Sequence, residues 1–160
     1  METADPDAIA AAYEQGLTLL VRREHSRREL GHKLAERGHD AAAAEAALDR
    51  LEAENALSDR RFAEEYARAR FAKGFGPVRV LAELREHGID GDGLAHARLD
   101  ADAERALAAE QYAKRFGGEP PADRRETAKR KRYLQQRGFA PGICAAVVEQ
   151  RGNPDDHPGL

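Results

Sequence analysis

The chain has 160 residues, 34% of them charged and 6% aromatic, with no Trp and a formal net charge of −3. That length holds one domain or a few very small ones, and the small net charge excludes a polycationic chain. One cysteine, Cys144, excludes an intrachain disulfide framework and points to a reducing cytosol. No apolar run approaches the roughly 20 residues of a membrane span. The N-terminus, METADPDAIAAAYEQG, lacks the basic start and apolar block of a secretion signal. The expectation is a soluble, cytoplasmic protein. Abundant Ala with sparse Val and Ile favours helices.

In chain order, residues 1 to 7 are expected to fray. Ile9, Tyr13, Gly16, Leu17 and Leu20 recur at helical spacing and predict a first helix over about 7–24. Ser26, three before Glu29, starts a second helix with Leu30 and Leu34 as its stripe, and Gly38 stops it. Asp40 caps a third, whose inner face is Ala44, Ala47, Leu48 and Leu51. Ser58 or Asp59 opens a fourth helix, with Phe62, Tyr66 and Ala69 facing one way. Gly74-Phe75-Gly76-Pro77 breaks it, and Pro77 fits the first turn of a fifth. Val80, Leu81 and Leu84 are its buried candidates, and Gly88 its stop. A short sixth helix carries Leu94 and Ala97. A seventh, over about 101–116, is expected to face inward through Ala106, Ala113 and Phe116. Residues 117–121 are a linker. Asp123 with Glu126 then starts an eighth helix bearing Tyr133 and Leu134, stopped by Gly138, and a ninth carries Ile143, Val147 and Val148. Residues 151–160 are expected to be disordered.

The chain repeats. LAERGHD, LREHGID and LQQRGFA begin at Leu34, Leu84 and Leu134, and Gly38, Gly88 and Gly138 keep the same period of 50. Such a period marks a repeated supersecondary unit. The expected architecture is all-α: three tandem three-helix repeats forming an elongated, curved molecule, with a first repeat over 1–56, a second over 57–100 and a third over 101–150. Each unit is marginal alone, and a stacked row offers a long surface rather than a deep pocket.

Charge alternates along that row. Residues 21–37, 60–88 and 121–137 carry +3, +3 and +5, while 1–20, 40–59 and 89–110 carry −4, −5 and −4. For one cluster the ordinary reading is a solvated helix face with internal i, i+4 pairs. The alternation suggests instead a surface matched to a partner both acidic and basic, such as a protein assembled on nucleic acid. Lys129-Arg130-Lys131-Arg132 is the densest run; four successive helical residues fan around the axis, so one or two, with Arg125 or Arg137, are candidates for phosphate. A helix-turn-helix reading fits poorly, because the helices that would enter the groove begin at Asp40 and Asp90 and are acidic.

Catalytic constellations are weak. His25, His32 and His39 lie seven apart, but Gly38 interrupts their helix and no Cys or Asp set completes a metal site. Cys144 sits among Ile143, Ala145, Ala146 and Val147 and reads as core. Gly74-Phe75-Gly76 lacks the third Gly and preceding strand of a dinucleotide loop. Neither an enzyme nor a cofactor or metal is expected.

LSDRRFAEEYARARFAKGFGPVRVLAELREHGI, from Leu57 to Ile89, resembles the hallmark stretch of the RecX family, bacterial modulators of the RecA recombinase. Leu20 to Leu30 with Leu34 to Gly38 is similar to that family's first repeat. Lys114 to Phe116, Lys129-Arg130 and Leu134 to Phe139 are similar to its third. The resemblance spans about residues 9 to 150 and departs in lacking a Trp near the start of the seventh helix. It implies three tandem three-helix repeats and a non-enzymatic, monomeric protein. It further implies a partner, the RecA–DNA filament, whose growth would be impeded or whose disassembly promoted, damping recombinational repair and the SOS response. The candidate contacts to RecA or DNA phosphate are Arg27, Arg28, Arg68, Arg70, Lys73, Arg79, Lys129, Arg130, Lys131 and Arg132. The alternatives are a general single-stranded nucleic-acid-binding protein that competes for DNA, and a helical scaffold with an unrelated partner.

Overall fold

The structure, a computed structural model, describes residues 3–150; the expected disordered tail lies outside them. Among the described residues are nine α-helices and no strand: α1 (Pro6–Arg22), α2 (Arg27–Glu36), α3 (Ala41–Ala53), α4 (Asp59–Ala72), α5 (Pro77–Glu86), α6 (Gly91–His96), α7 (Ala101–Phe116), α8 (Arg124–Arg137) and α9 (Pro141–Gln150).

Local chemistry sets the boundaries. Ser26, Asp40, Ser58, Asp100 and Asp123 each accept, through a side-chain oxygen, the backbone N–H three residues on. Each cap is worth about 1 kcal/mol. Asp5 accepts from the Asp7 N–H ahead of Pro6, so α1 begins at residue 6, inside the stretch expected to fray. The stops repeat as closely as the sequence does. Gly38, Gly88 and Gly138 all have positive φ. Beyond them, the N–H groups of His39, Ile89 and Phe139 return to the carbonyls of Leu34, Leu84 and Leu134 at 3.1, 3.0 and 3.1 Å. This is the six-residue closure of a Schellman stop, made three times.

The chain forms two compact units, one reaching to Tyr66 and resuming over Leu84–Ala97, the other comprising Ala67–Glu83 and the chain from Arg98 on. In the first, Leu19, Leu30, Leu34, Ala44, Leu48, Leu51 and Leu57 form the core, with Tyr13, Leu17 and Leu20 partly buried against it. The deepest positions of α1 are Ala12, Gly16 and Leu19. A Cβ at Gly16 would lie 2.8 Å from Leu51 Cδ1, so this glycine is the point where α1 meets α3.

In the second unit the core is Ala108, Tyr112, Leu134, Phe139, Cys144, Val147 and Val148. Here α7 is rotated from expectation: Glu104, Ala108 and Tyr112 are buried, whereas Ala106 is exposed. The reason is polar. The Glu104 carboxylate accepts the Ala140 N–H at 2.9 Å, one of the free donors at the start of α9, so a carboxylate turns inward where an alanine was expected. Ala69, expected beside Phe62 and Tyr66, is likewise exposed; Ala63 and Ala67 take the inner positions of α4.

The Gly74–Pro77 turn also belongs to the second unit. The N–H groups of Gly76 and Val78 donate to the carbonyls of Arg137 and Gly138 at 2.8 and 2.9 Å. Arg137 Nη2 donates to the Lys73 carbonyl at 2.8 Å. The end of α8 thus satisfies both the Lys73 carbonyl just past α4 and the first N–H groups at the start of α5. A Cβ on Gly76 would fall inside the Gly138 carbonyl. The glycine serves close approach of two backbones as well as the turn.

Candidate partner-binding surface

Arg27 and Arg28 stand in the first turn of α2. Arg27 is committed internally: Nη2 meets Glu45 at 2.5 Å and Asp49 at 2.8 Å, and Nη1 meets Glu52 at 3.0 Å. Burial is the largest single influence on this guanidinium and opposes its charge, but the three carboxylates of α3 together outweigh it and raise its pKa. Arg28 is exposed; it donates to the Glu86 carbonyl at 3.2 Å and its stem covers Gly88.

In α4 and α5, Arg70 is held by Glu83 through two bonds of 2.9 and 2.8 Å, and Arg79 reaches the same carboxylate at 3.1 Å. Both guanidinium groups lie over the Phe75 ring, 3.9 and 4.3 Å from its centroid, and Arg137 joins them at 4.3 Å. Arg70 is half-buried and works chiefly within the fold; Arg79 is 44% exposed. Arg68 and Lys73 are exposed, and neither forms an ion pair with any described residue.

The cationic run of α8 divides. Arg130 is a correction to the expected contacts, being only 6% exposed. It donates to the Tyr112 hydroxyl at 2.8 Å, the Glu119 carbonyl at 2.9 Å and Glu126 at 2.6 Å. Its hydrogen bond with Tyr112 leads the influences that raise its pKa. An arginine goes inside here because each guanidinium nitrogen finds an acceptor. Lys131 is half-buried and reaches Glu149 at 2.5 Å.

Lys129 and Arg132 are exposed and form no ion pair among the described residues. With Arg125 they occupy positions i, i+4 and i+7 of α8, one face of the helix. Arg125, Lys129 and Arg132 line a furrow of about 710 Å³ with Asp123 and Glu126. Lys129 and Arg132 also line an adjoining furrow of about 210 Å³ with Arg115, Phe116, Tyr133 and Gln136. The Phe116 and Tyr133 rings meet edge to face, 5.4 Å apart, and the Arg115 guanidinium lies 5.3 and 5.7 Å from their centroids. Arg115 was not among the expected contacts; it lies on a different helix, and no sequence spacing joins it to α8.

No group of three His, Cys, Asp or Glu among the described residues is placed to hold a metal ion. Of the three spaced histidines, His25 is buried against Lys33, His39 bonds Gln15 and His32 is exposed. No helix among the described residues is long and apolar enough to cross a membrane.

These features define a helical tandem-repeat protein that presents cations on selected helix faces. Three family descriptions match it: RecX, first three-helix domain, over 12–51; RecX, second three-helix domain, over 58–97; and RecX, third three-helix domain, over 102–148. The chain is 45% identical over 152 residues to the regulatory protein RecX of Halorhodospira halophila, with 93% of each chain covered. It is 37% identical over 155 residues to that of Pseudomonas fluorescens, covering 96% of this chain and 99% of the other. Its fold matches the crystal structure of RecX from Lactobacillus salivarius with a TM-score of 0.77 at 22% identity, covering 91% and 97% of the two chains. The chain belongs to the RecX family of regulatory proteins.

Proposed function

We propose that this protein regulates the RecA recombinase in the cytoplasm by binding the RecA–DNA filament. Bound there as a monomer, it restrains filament extension or promotes disassembly. The effect damps strand exchange, ATPase and co-protease activity, and so tunes recombinational repair and the SOS response. It works by occupancy rather than catalysis. The observation that carries this reading is the row of cations on α8, Arg125, Lys129 and Arg132, none ion-paired within the described fold. Exposed cations without internal partners are available to an acidic protein face or to phosphate. Arg68, Lys73 and Arg79 are further candidates; Arg27, Arg70 and Arg130 serve the fold first.

The test is the ATPase rate of preformed RecA–single-stranded-DNA filaments as the protein is added, with bare-DNA binding measured in the same buffer. Inhibition well below one protein per RecA, beside weak bare-DNA binding, is the expected result. Inhibition only at coverage of the DNA makes competition for the strand the better account.

A further inference from the structure

We propose that the double furrow beside α8 is a binding site for single-stranded nucleic acid, with Arg125, Lys129 and Arg132 on successive phosphates and Tyr133, Phe116 and Arg115 against a base. This deepens the filament reading and rests on it for biological context, but its chemistry stands on the furrow itself.

The stripe is linear. Arg125 to Arg132 spans about 10 Å of helix axis, so the charges follow a chain rather than converge on one small anion. They also outnumber the acids beside them. Of the two acids lining the larger furrow, Glu126 is ion-paired to Arg130, and Asp123 caps α8 by accepting the Glu126 N–H, so three cations face one unpaired carboxylate. Beside the stripe lies a second element that a polyanion of the peptide kind does not need. Phe116 and Tyr133 line the smaller furrow, half-buried, with the planar Arg115 guanidinium next to them. A cationic track flanked by aromatic and guanidinium planes is how single strands are held without sequence preference, since every base offers a π face. A duplex keeps its bases stacked and has no use for these rings. The fold supports the arrangement from behind: Arg130, one position from Lys129, is locked to Tyr112, and Lys131 to Glu149, which fixes the rotation of α8.

The experiment uses the full chain and a fluorescent oligothymidylate, read by anisotropy across a salt series with no RecA present. The parent is expected to bind with a Kd of about 10⁻⁵ M at moderate salt. The triple variant Arg125→Gln, Lys129→Gln, Arg132→Gln is expected to bind at least about tenfold more weakly at low salt, and its log K against log salt slope to flatten by about 2. A charge-matched control, Arg22→Gln, Arg60→Gln, Arg85→Gln, should bind as the parent does. Tyr133→Leu is expected to lower affinity with no change in salt slope, separating stacking from charge. If the triple variant melts below the parent, Lys129→Gln alone is read instead. Equal binding by parent and stripe variants overturns the proposal. So does an equal loss in the control, or displacement of the strand by poly-glutamate at matched charge. Strand binding without filament inhibition would sink the function proposed above and leave this site standing; filament inhibition beside equal strand binding by parent and stripe variants would overturn this site and leave that function standing.

Discussion

Arg130 donates a 2.8 Å hydrogen bond to the hydroxyl of Tyr112, and both side chains are buried. The most basic stretch of the chain therefore spends its central arginine on the core. Arg130→Ala removes the buried donor to the Tyr112 hydroxyl and the Glu119 carbonyl and opens a void beside Phe116. A loss of about 2 to 3 kcal/mol is expected. Arg132→Ala, on the exposed face, should change stability by less than about 0.5 kcal/mol. Urea denaturation of the two variants checks this; equal stabilities would mean that the buried bonds contribute nothing.

Gly76→Ala should be among the most damaging small substitutions. Its Cβ meets the Gly138 carbonyl, and the backbone bonds on either side forbid retreat. A cost above about 2 kcal/mol is expected, lowering Tm by several degrees. Gly142→Ala, in the first turn of α9 with nothing within 4 Å of the new methyl, should instead be neutral or stabilise by up to about 1 kcal/mol. Thermal melts of both variants decide the matter.

His25 makes stability depend on pH. Its Nδ1 lies 3.0 Å from the Arg23 carbonyl, so it is the proton-bearing nitrogen, and Nε2 accepts from Lys33 Nζ at 2.8 Å. Burial first, and then the charges of Arg23 and Lys33, lower its pKa below 6.5, although the Arg23 carbonyl and Glu29 pull the other way. A depressed value means the unfolded chain takes up a proton before the folded one does. Stability is therefore unaffected by this group above pH 6.5 and falls as pH drops from there towards the lower folded value. Urea midpoints at pH 7.5 and 5.5 should differ more for the parent than for His25→Gln. An unchanged difference would remove His25 as the cause.

Cys144 should be chemically silent in the native state. It is fully buried and donates to the Phe139 carbonyl at 3.6 Å; burial, reinforced by the nearby Glu104, pushes its thiol up to about 11. Thiolate is the reactive form. Alkylation at pH 8 should proceed only in denaturant, with mass spectrometry as the readout. Rapid native labelling would show that α9 opens readily.

Much of this architecture can be read from the residues because its signals are local. Ser26, Asp40, Ser58 and Asp123 cap helices from within three residues, and each glycine stop acts within one turn. What is hidden depends on distant partners. Glu104 turns inward for an N–H 36 residues away, and Arg130 for a hydroxyl 18 away. Composition marks both as surface residues, and only the fold supplies the acceptors and donors that let them in. The cationic stripe of α8 lies between these cases. The i, i+4, i+7 spacing of Arg125, Lys129 and Arg132 is visible in the sequence, yet the adjacent Arg130 and Lys131 obscure it.

The splice at residues 137 and 138 has a consequence for synthesis. During translation α5 emerges with its first amides open to water, and the Lys73 carbonyl just past α4 is equally exposed. Their partners arrive only when the ribosome has made the end of α8; Arg137 follows Lys73 by 64 residues. A nascent chain arrested in the linker before α8 carries a complete second repeat by sequence, but one whose central turn lacks its permanent bonding partners. Maturation of that turn is thereby tied to completion of the third repeat, a long-range closure of the kind that slows folding. Proteolytic loss of the C-terminal third would reach back into the hallmark segment and loosen it.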